Sequence, residues 1–486
     1  MWRVIWQHNA TVMGNIRSEV VPDAASITNL KQSLWSDLDT LGAAEPIFQQ
    51  PTSELRSWLK NTPSLHSDPA MDLAGYFHIF VPSYQQATVL LGRLRADGSV
   101  SYADIQGRWR HPVMFGQTRR MQVLDKSIAA APQTTPSLVA QQAYLNPAPN
   151  GVDALFAWTI PGGQGSGVRI CDIESGWNLH HEDLVDNDHG VIYGRNDFAV
   201  NTDGTDTDSH GTAVMGIFHG DKNNFGVTGI AADSIFSGAS ANYDQNLHKW
   251  NAAAAIKFAS DYWLNPGDVM LLEMHAPGPN TQNPDDPKSQ QGYVPIEYWL
   301  PEYSAIKYAV SKGIYVVEAG GNGGENLDAA IYKSVFSKAT RDSGAILVGG
   351  GNSAHDVNPR SRIWWSNYGS RFDVQGWGLD IVTTGGREVP EYYDCINDPD
   401  TSKCYTQSFG GTSGASPIVV GVVSSISGAL RAAAKPLLSP NDMRTLIVQT
   451  GTKQSDAPGY PSSQHIGPLP NLKAALRSLG LGGLAS

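Results

Sequence analysis

Cysteine is scarce: three in 486 residues cannot build a disulfide framework. Cys395 and Cys404 lie nine apart in the turn-rich loop YYDCINDPDTSKCYTQ, where a bridge and two free thiols are both open. Cys171, inside the apolar run VRICDI, reads as a buried, inert side chain. Charge is thin as well, at 16% of residues, and basic charge thinner still: 34 Lys and Arg against 46 Asp and Glu, a net −12. A pervasive phosphate-binding surface needs clustered Lys and Arg, so a nucleic-acid partner is not expected. No window approaches the roughly 20 apolar residues of a membrane helix, so no membrane span is expected either. The start, MWRVIWQHNATVMG, lacks the cationic head and apolar stretch of a signal peptide. The compartment stays open between a protein kept inside and one whose start has been trimmed.

Glycine and proline are plentiful, 50 and 29, beside 41% hydrophobic residues, which describes a loop-rich globular chain. The clearest composition shift is AAAPQTTPS (129–137), uncharged and proline-bearing, which reads as a linker. Before it, GYFHIFVP (75–82), SYQQATVLLGRLRADG (83–98) and SVSYADI (99–105) read as a β-α-β unit. The first 60 residues carry a short alternating run, WRVIW, and a candidate helix NLKQSLWSDLDTL, with no evident role. After the linker, buried-strand patterns alternate with helical ones: VRICDI (168–173), GDVMLLEM (267–274), GIYVVEA (313–319) and GAILVGG (344–350) against helices near 246–263 and 301–313. The expected fold is α/β, a mostly parallel doubly wound sheet with helices on both faces. A smaller α+β amino-terminal domain (1–135) precedes a main domain (136–486). Chemistry in such sheets collects at the carboxyl ends of the strands.

Four segments stand at such ends. Asp172 closes VRICDI, His210 opens the helical run HGTAVMGIFHG, Asn322 follows GIYVVEA within AGGNGG, and Ser413 lies in GGTSGASP before IVVGVVSSISGAL. His can take the proton of Ser, Asp can orient and stabilise the imidazole, and a side-chain amide can donate to a developing oxyanion. Each piece alone is weak, since a Gly-rich Ser loop before a helix could equally cradle a phosphate. The order Asp, His, Asn, Ser along α/β element ends is what gives the set its meaning.

With these motifs the chain resembles the subtilases, the subtilisin-like serine proteases of peptidase family S8. ICDIESG resembles their aspartate motif, SHGTAVMG the histidine motif and GGTSGASP the serine motif. NNFGVTGIAA (223–232), SNYG (366–369), PNDMRTLIVQTGT (440–452) and LPNLKAAL (469–476) extend the likeness to the end of the chain. The resemblance implies a serine endopeptidase acting on proteins or peptides through an acyl-enzyme. Asp172, His210 and Ser413 would be its triad, and Asn322 with the Ser413 N–H its oxyanion hole. Structural calcium would be held by Asp183, Asp221 and Asn223, with backbone carbonyls of Phe225 and Val227, oxygens that suit a hard cation. Residues before the linker would be a self-inhibiting propeptide of a zymogen, and secretion would be usual.

Two departures stand out. The aspartate motif ordinarily reads Asp-x-Gly, but Glu174 and Ser175 intervene before Gly176, and Glu174 is expected to be accommodated in the loop. The pocket strand ordinarily ends Ser-Leu-Gly and here ends Glu273-Met274-His275. Glu273 could meet a basic substrate side chain, or accept backbone hydrogen bonds and never meet substrate. The sedolisin type, which uses Glu, Asp and Ser at acid pH, gains a foothold from Glu174 and is opposed by His210 and Asn322. A catalytically silent subtilase fold is the remaining alternative. The acidic run Asp203, Asp206, Asp208 is expected to be a solvated turn.

Overall fold

The computed structural model describes residues 1–8, 44–50, 52–60, 62, 65, 68–112, 135–197, 210–244, 249–282, 289–385 and 401–482. The helix expected at 29–41, most of the linker, the run from Asp203 to Asp208, and Cys395 lie outside them. Cys404 is disulfide-bonded, and Cys171 is free and buried.

The amino-terminal sheet is formed by β1 (Trp2–His8), β2 (Glu45–Pro46), β3 (Tyr76–Val81) and β4 (Val100–Gln106), in the order β2-β3-β1-β4. Helices α1 (Thr52–Lys60) and α2 (Tyr84–Ala96) accompany it, and Ser83 caps α2 by accepting from Gln86 N. The β3-α2-β4 unit is the one expected from the sequence. Its two strands are not neighbours, however: β1 lies between them, antiparallel to both. Every β1 residue is buried, which explains the dense apolar run at the start of the chain.

The larger unit is built on seven parallel strands. They are β5 (Arg169–Glu174), β6 (Asp188–Tyr193), β7 (Ile235–Ser240), β8 (Val269–Leu272), and, after a short hairpin of β9 (His275–Pro277) and β10 (Tyr293–Pro295), β11 (Tyr315–Ala319), β12 (Ile346–Gly351) and β13 (Val374–Trp377). Their order is β13-β12-β11-β8-β5-β7-β6. Alternate strand residues serve two separate cores, because successive side chains point to opposite faces. Cys171, Met270, Leu272, Val316 and Leu347 face helices α4 (Ala252–Tyr262) and α5 (Leu300–Ser311). Ile170, Val269, Leu271, Val317 and Val348 face α3 (His210–His219) and α6 (Thr412–Ala432). Helices α7 (Pro440–Thr450) and α8 (Leu472–Ser478) join this second core through Met443, Ile447, Leu472 and Leu476. A last antiparallel pair, β14 (Ile381–Thr384) with β15 (Tyr405–Phe409), packs along α3.

α6 corrects one expectation. Its 21 residues are long and apolar enough to cross a membrane by length and composition, yet its apolar stretch is buried inside the protein. It is the central core helix.

The amino-terminal sheet sits on the outer side of α4 and α5 and shares one continuous apolar core with them. Trp2, Val4, Trp6, Ile79 and Leu90 belong to the same cluster as Trp250, Ile256, Ile306 and Ala309. A buried ion pair crosses this contact. Arg3 Nη1 donates to Glu302 Oε1 at 2.8 Å and to Gln106 Oε1 at 2.7 Å, and its Nε to His78 Nδ1 at 2.9 Å. Both Arg3 and Glu302 are fully inaccessible, so each charge depends on the other and on its hydrogen bonds. The first residues of the chain are therefore tied to the unit that carries the candidate site.

Candidate active site

Ser413 occupies the first turn of α6, preceded by Gly411 at φ +92, a backbone angle that favours glycine. The turn points the backbone N–H of Ser413 out of the helix start, where a peptide carbonyl or anion is favoured. His210 opens α3. A Cβ on the adjacent Gly211 would lie 2.5 Å from Gly176 O, so only glycine lets α3 approach the end of β5 this closely. Asn322 lies in the turn after β11. Its Oδ1 accepts from Thr412 N at 3.0 Å, and its Nδ2 donates to Gln290 Oε1 at 3.0 Å.

The partner of His210 differs from the expected one. Glu174 Oε2 lies 2.8 Å from His210 Nδ1. Asp172 lies one step further back, where its Oδ2 accepts from Trp177 Nε1 at 2.8 Å. Residues 172 and 174 share a face of β5, and the later one reaches the strand end and the imidazole. Glu174 is thus a direct contact of His210 and not a residue set aside in the loop.

Burial raises both carboxyls well above their ordinary range. Asp172 is raised further by the charge and hydrogen bond of Glu174, whereas that same bond stabilises ionised Glu174. Burial and the charge of Glu174 thus both act against ionising Asp172 while Glu174 is charged. Burial also lowers the His210 imidazole, to about 3, keeping it neutral. Its Nε2 and the Ser413 Oγ are both buried and lack a hydrogen bond of ordinary geometry among the described residues.

The Glu273 carboxyl is engaged by the start of α6. Its buried carboxyl is hydrogen-bonded to Ser416 Oγ, which is also bonded to Thr412 O at 2.6 Å. A hydroxyl has one hydrogen. If Ser416 gives it to the carbonyl, Glu273 must donate and is protonated. Burial and the nearby Asp172 push it in that direction, opposed by hydrogen bonding to Ser416 and Ser413. A carboxyl held neutral in this way would offer no Coulomb attraction to Lys or Arg.

Three participants had no sequence signal. Trp109-Arg110-His111-Pro112 runs through the site, joined to β9 by one isolated antiparallel bridge. Arg110 N donates to His275 O at 2.8 Å, and His275 N to Arg110 O at 3.1 Å. The His111 ring stacks on His210 with centroids 3.9 Å apart. Gln290 Nε2 donates to His111 O at 3.0 Å. Ser413 N donates to Pro112 O at 3.1 Å. His275, in the altered pocket strand, accepts from Asn322 N at 3.2 Å through Nδ1.

The five expected calcium ligands converge only in part. Asp183 is buried, with Oδ1 accepting from Asn223 Nδ2 at 2.7 Å and Oδ2 from Val227 N. Its carboxyl is raised to about 8, first by burial, with Asp221 and Glu182 adding to the effect. It has no ion pair among the described residues. A buried carboxyl without a cationic side chain suits a hard cation, while Asn223 turns its NH2 and not its oxygen toward it. The Asp221 carboxylate is engaged elsewhere, capping Val185 N at 2.9 Å and Asp186 N at 3.1 Å. The Phe225 N–H donates to Asn223 Oδ1 at 2.9 Å.

Comparison with known proteins agrees with this architecture. The subtilase family model, Peptidase_S8, matches residues 165–467. A probable subtilase-type serine protease of Deinococcus radiodurans is 26% identical over 426 residues, covering 81% of this chain and 50% of its own length. A calcium-dependent protease of Trichormus variabilis is 27% identical over 305 residues, 60% of this chain and 42% of that protein. The chain thus spans about half the length of these curated relatives. The epidermin leader peptide processing serine protease of Staphylococcus aureus superposes with a TM-score of 0.56 at 17% identity, covering 100% of this chain and 99% of that one, a likeness of fold. With the family model spanning most of the chain over the same strands and helices that carry Glu174, His210, Asn322 and Ser413, this protein belongs to the subtilase family.

Proposed function

We propose that the chain is a serine endopeptidase in which Ser413 is the nucleophile, His210 the general base and then acid, and Glu174 the carboxylate that orients His210. The observation that carries this reading is the Ser413 N–H donating to a peptide carbonyl, beside a His210 held at Nδ1 by Glu174. With Nδ1–H given to Glu174, the imidazole keeps Nε2 free to take a proton. Ser413 Oγ adds to the substrate carbonyl while His210 Nε2 takes its proton. His210 returns that proton to the leaving amine, and water hydrolyses the acyl-enzyme by the reverse route. Asn322 Nδ2 gives one hydrogen to Gln290; its other serves the oxyanion with the Ser413 N–H. Asp172, two residues back on the same face of the strand and fixed by Trp177, supports Glu174 from behind. Residues 1 to about 135 act as a self-inhibiting region, a reading supported by the segment from Trp109 to Pro112 in the site. Incubation with an unfolded protein tests the function: peptides cut at internal bonds are expected. Release of terminal residues alone, or no cleavage, contradicts the endopeptidase and in the second case favours a silent fold.

A structural calcium at Asp183 and Asn223 is part of the proposal, in keeping with relatives named calcium-dependent proteases. A cation bound only by the folded state stabilises it by about 2.7 kcal/mol at a hundredfold excess over Kd. Chelation is therefore expected to lower Tm by several degrees, and Asp183→Ala to abolish that difference. A Tm indifferent to chelator and to added calcium contradicts the site.

A further inference from the structure

The segment in the site is registered like something to be cut, and its residues name a substrate class. Arg110 and His275 exchange both backbone bonds, forming an antiparallel pair. Two residues on, the same register sets Pro112 opposite Glu273. A residue with an N–H would give the next ladder bond there; proline cannot. The pairing ends at Pro112, and its carbonyl goes instead to Ser413 N at 3.1 Å. One residue earlier, His111 lies flat against His210 and crosses the Trp109 ring edge-on at 4.9 Å. Its carbonyl is fixed by Gln290, which Asn322 holds in turn. The carbonyl presented to the nucleophile thus belongs to a proline, and the imidazole before it is stacked on the general base.

We propose that the enzyme cuts itself on the carboxyl side of Pro112, and that it is a post-proline endopeptidase favouring chains with His before that proline. The proposal rests on the serine-endopeptidase reading. In the cut, Ser413 Oγ bonds to the Pro112 carbonyl carbon and its proton passes to His210. The bond to the nitrogen of Val113 breaks, and that amine leaves with the proton from His210. Water then releases the Pro112 carboxylate and restores Ser413. Proline enters this position with φ already fixed near −65°, so less chain entropy is lost on docking.

The test follows the full chain by intact mass. Wild type is expected to give fragments 1–112 and 113–486, and Pro112→Ala to be cut there at least tenfold more slowly. A second arm, independent of the variant's folding, compares p-nitroanilides of Trp-Arg-His-Pro and Trp-Arg-His-Ala, with kcat/KM expected at least tenfold higher for the proline peptide. Equal or reversed values overturn the proline preference. A wild-type cut at another bond, or none in protein that still cleaves unfolded substrate, overturns the assignment of Pro112. Failure to cleave any peptide or protein refutes the endopeptidase reading beneath it.

Discussion

Ser413→Ala and His210→Ala are each expected to lower kcat on an unfolded protein by about 10⁶-fold, and the double variant by little more, because nucleophile and base act as a unit. The Ser413 hydroxyl is fully buried, and its approach to Glu273 falls short of ordinary hydrogen-bond geometry. Its removal should therefore leave Tm nearly unchanged, separating chemistry from folding. His210→Ala removes one of two imidazole neighbours of the buried Glu174, leaving His111 at 3.4 Å, and is expected to lower Tm as well. Additive losses in the double variant would mean that the two residues do not share one step.

Glu174→Gln is expected to cost about 10⁴-fold in kcat with a small change in KM. A glutamine amide can donate to Nδ1 and hold the imidazole in the wrong tautomer, a loss of that order when the orienting carboxylate becomes an amide. Asp172→Asn should cost about tenfold at most, since an asparagine N–H can still donate to Glu174 and one hydrogen bond is worth about 1 kcal/mol net. The contrast between the two variants identifies which acid serves His210. Inactivation by Asp172→Asn with a mild effect of Glu174→Gln would restore the assignment that the motif first suggests.

That assignment shows what the sequence could and could not convey. Strands β5, β8, β11 and β12 were readable as apolar runs because a parallel sheet covered on both faces buries every residue. The end of β11 and the starts of α3 and α6 are where Asn322, His210 and Ser413 lie. The acid that the motif suggests by residue type is not the one in contact with His210, and spacing favours the other. Glu174-Ser175-Gly176 keeps the two-residue distance to glycine with a longer carboxylate, whereas Asp172 matches only with two residues inserted. Alternation along a strand could not decide between them, since both lie on one face. The β3-α2-β4 unit was legible from local periodicity, but the insertion of β1 between its strands depends on pairing across about 70 residues, which periodicity does not carry. Glu273 was ambiguous for a related reason. Its charge depends on Ser416 and the Thr412 carbonyl, which join it only when α6 packs beside β8. Nothing in the composition of Trp109–Pro112 marks it as a segment lying across the site.

The most direct test of the central claim is the location of a fluorophosphonate adduct by tandem mass spectrometry, on protein shown to cleave unfolded substrate. Phosphonylation requires a serine made nucleophilic by a neighbouring base, and two buried serines near the start of α6, Ser413 and Ser416, compete for the assignment. The account predicts one adduct, on Ser413, absent after Glu174→Gln on the same timescale. An adduct on Ser416, or none on protein that is actively cutting, would contradict it.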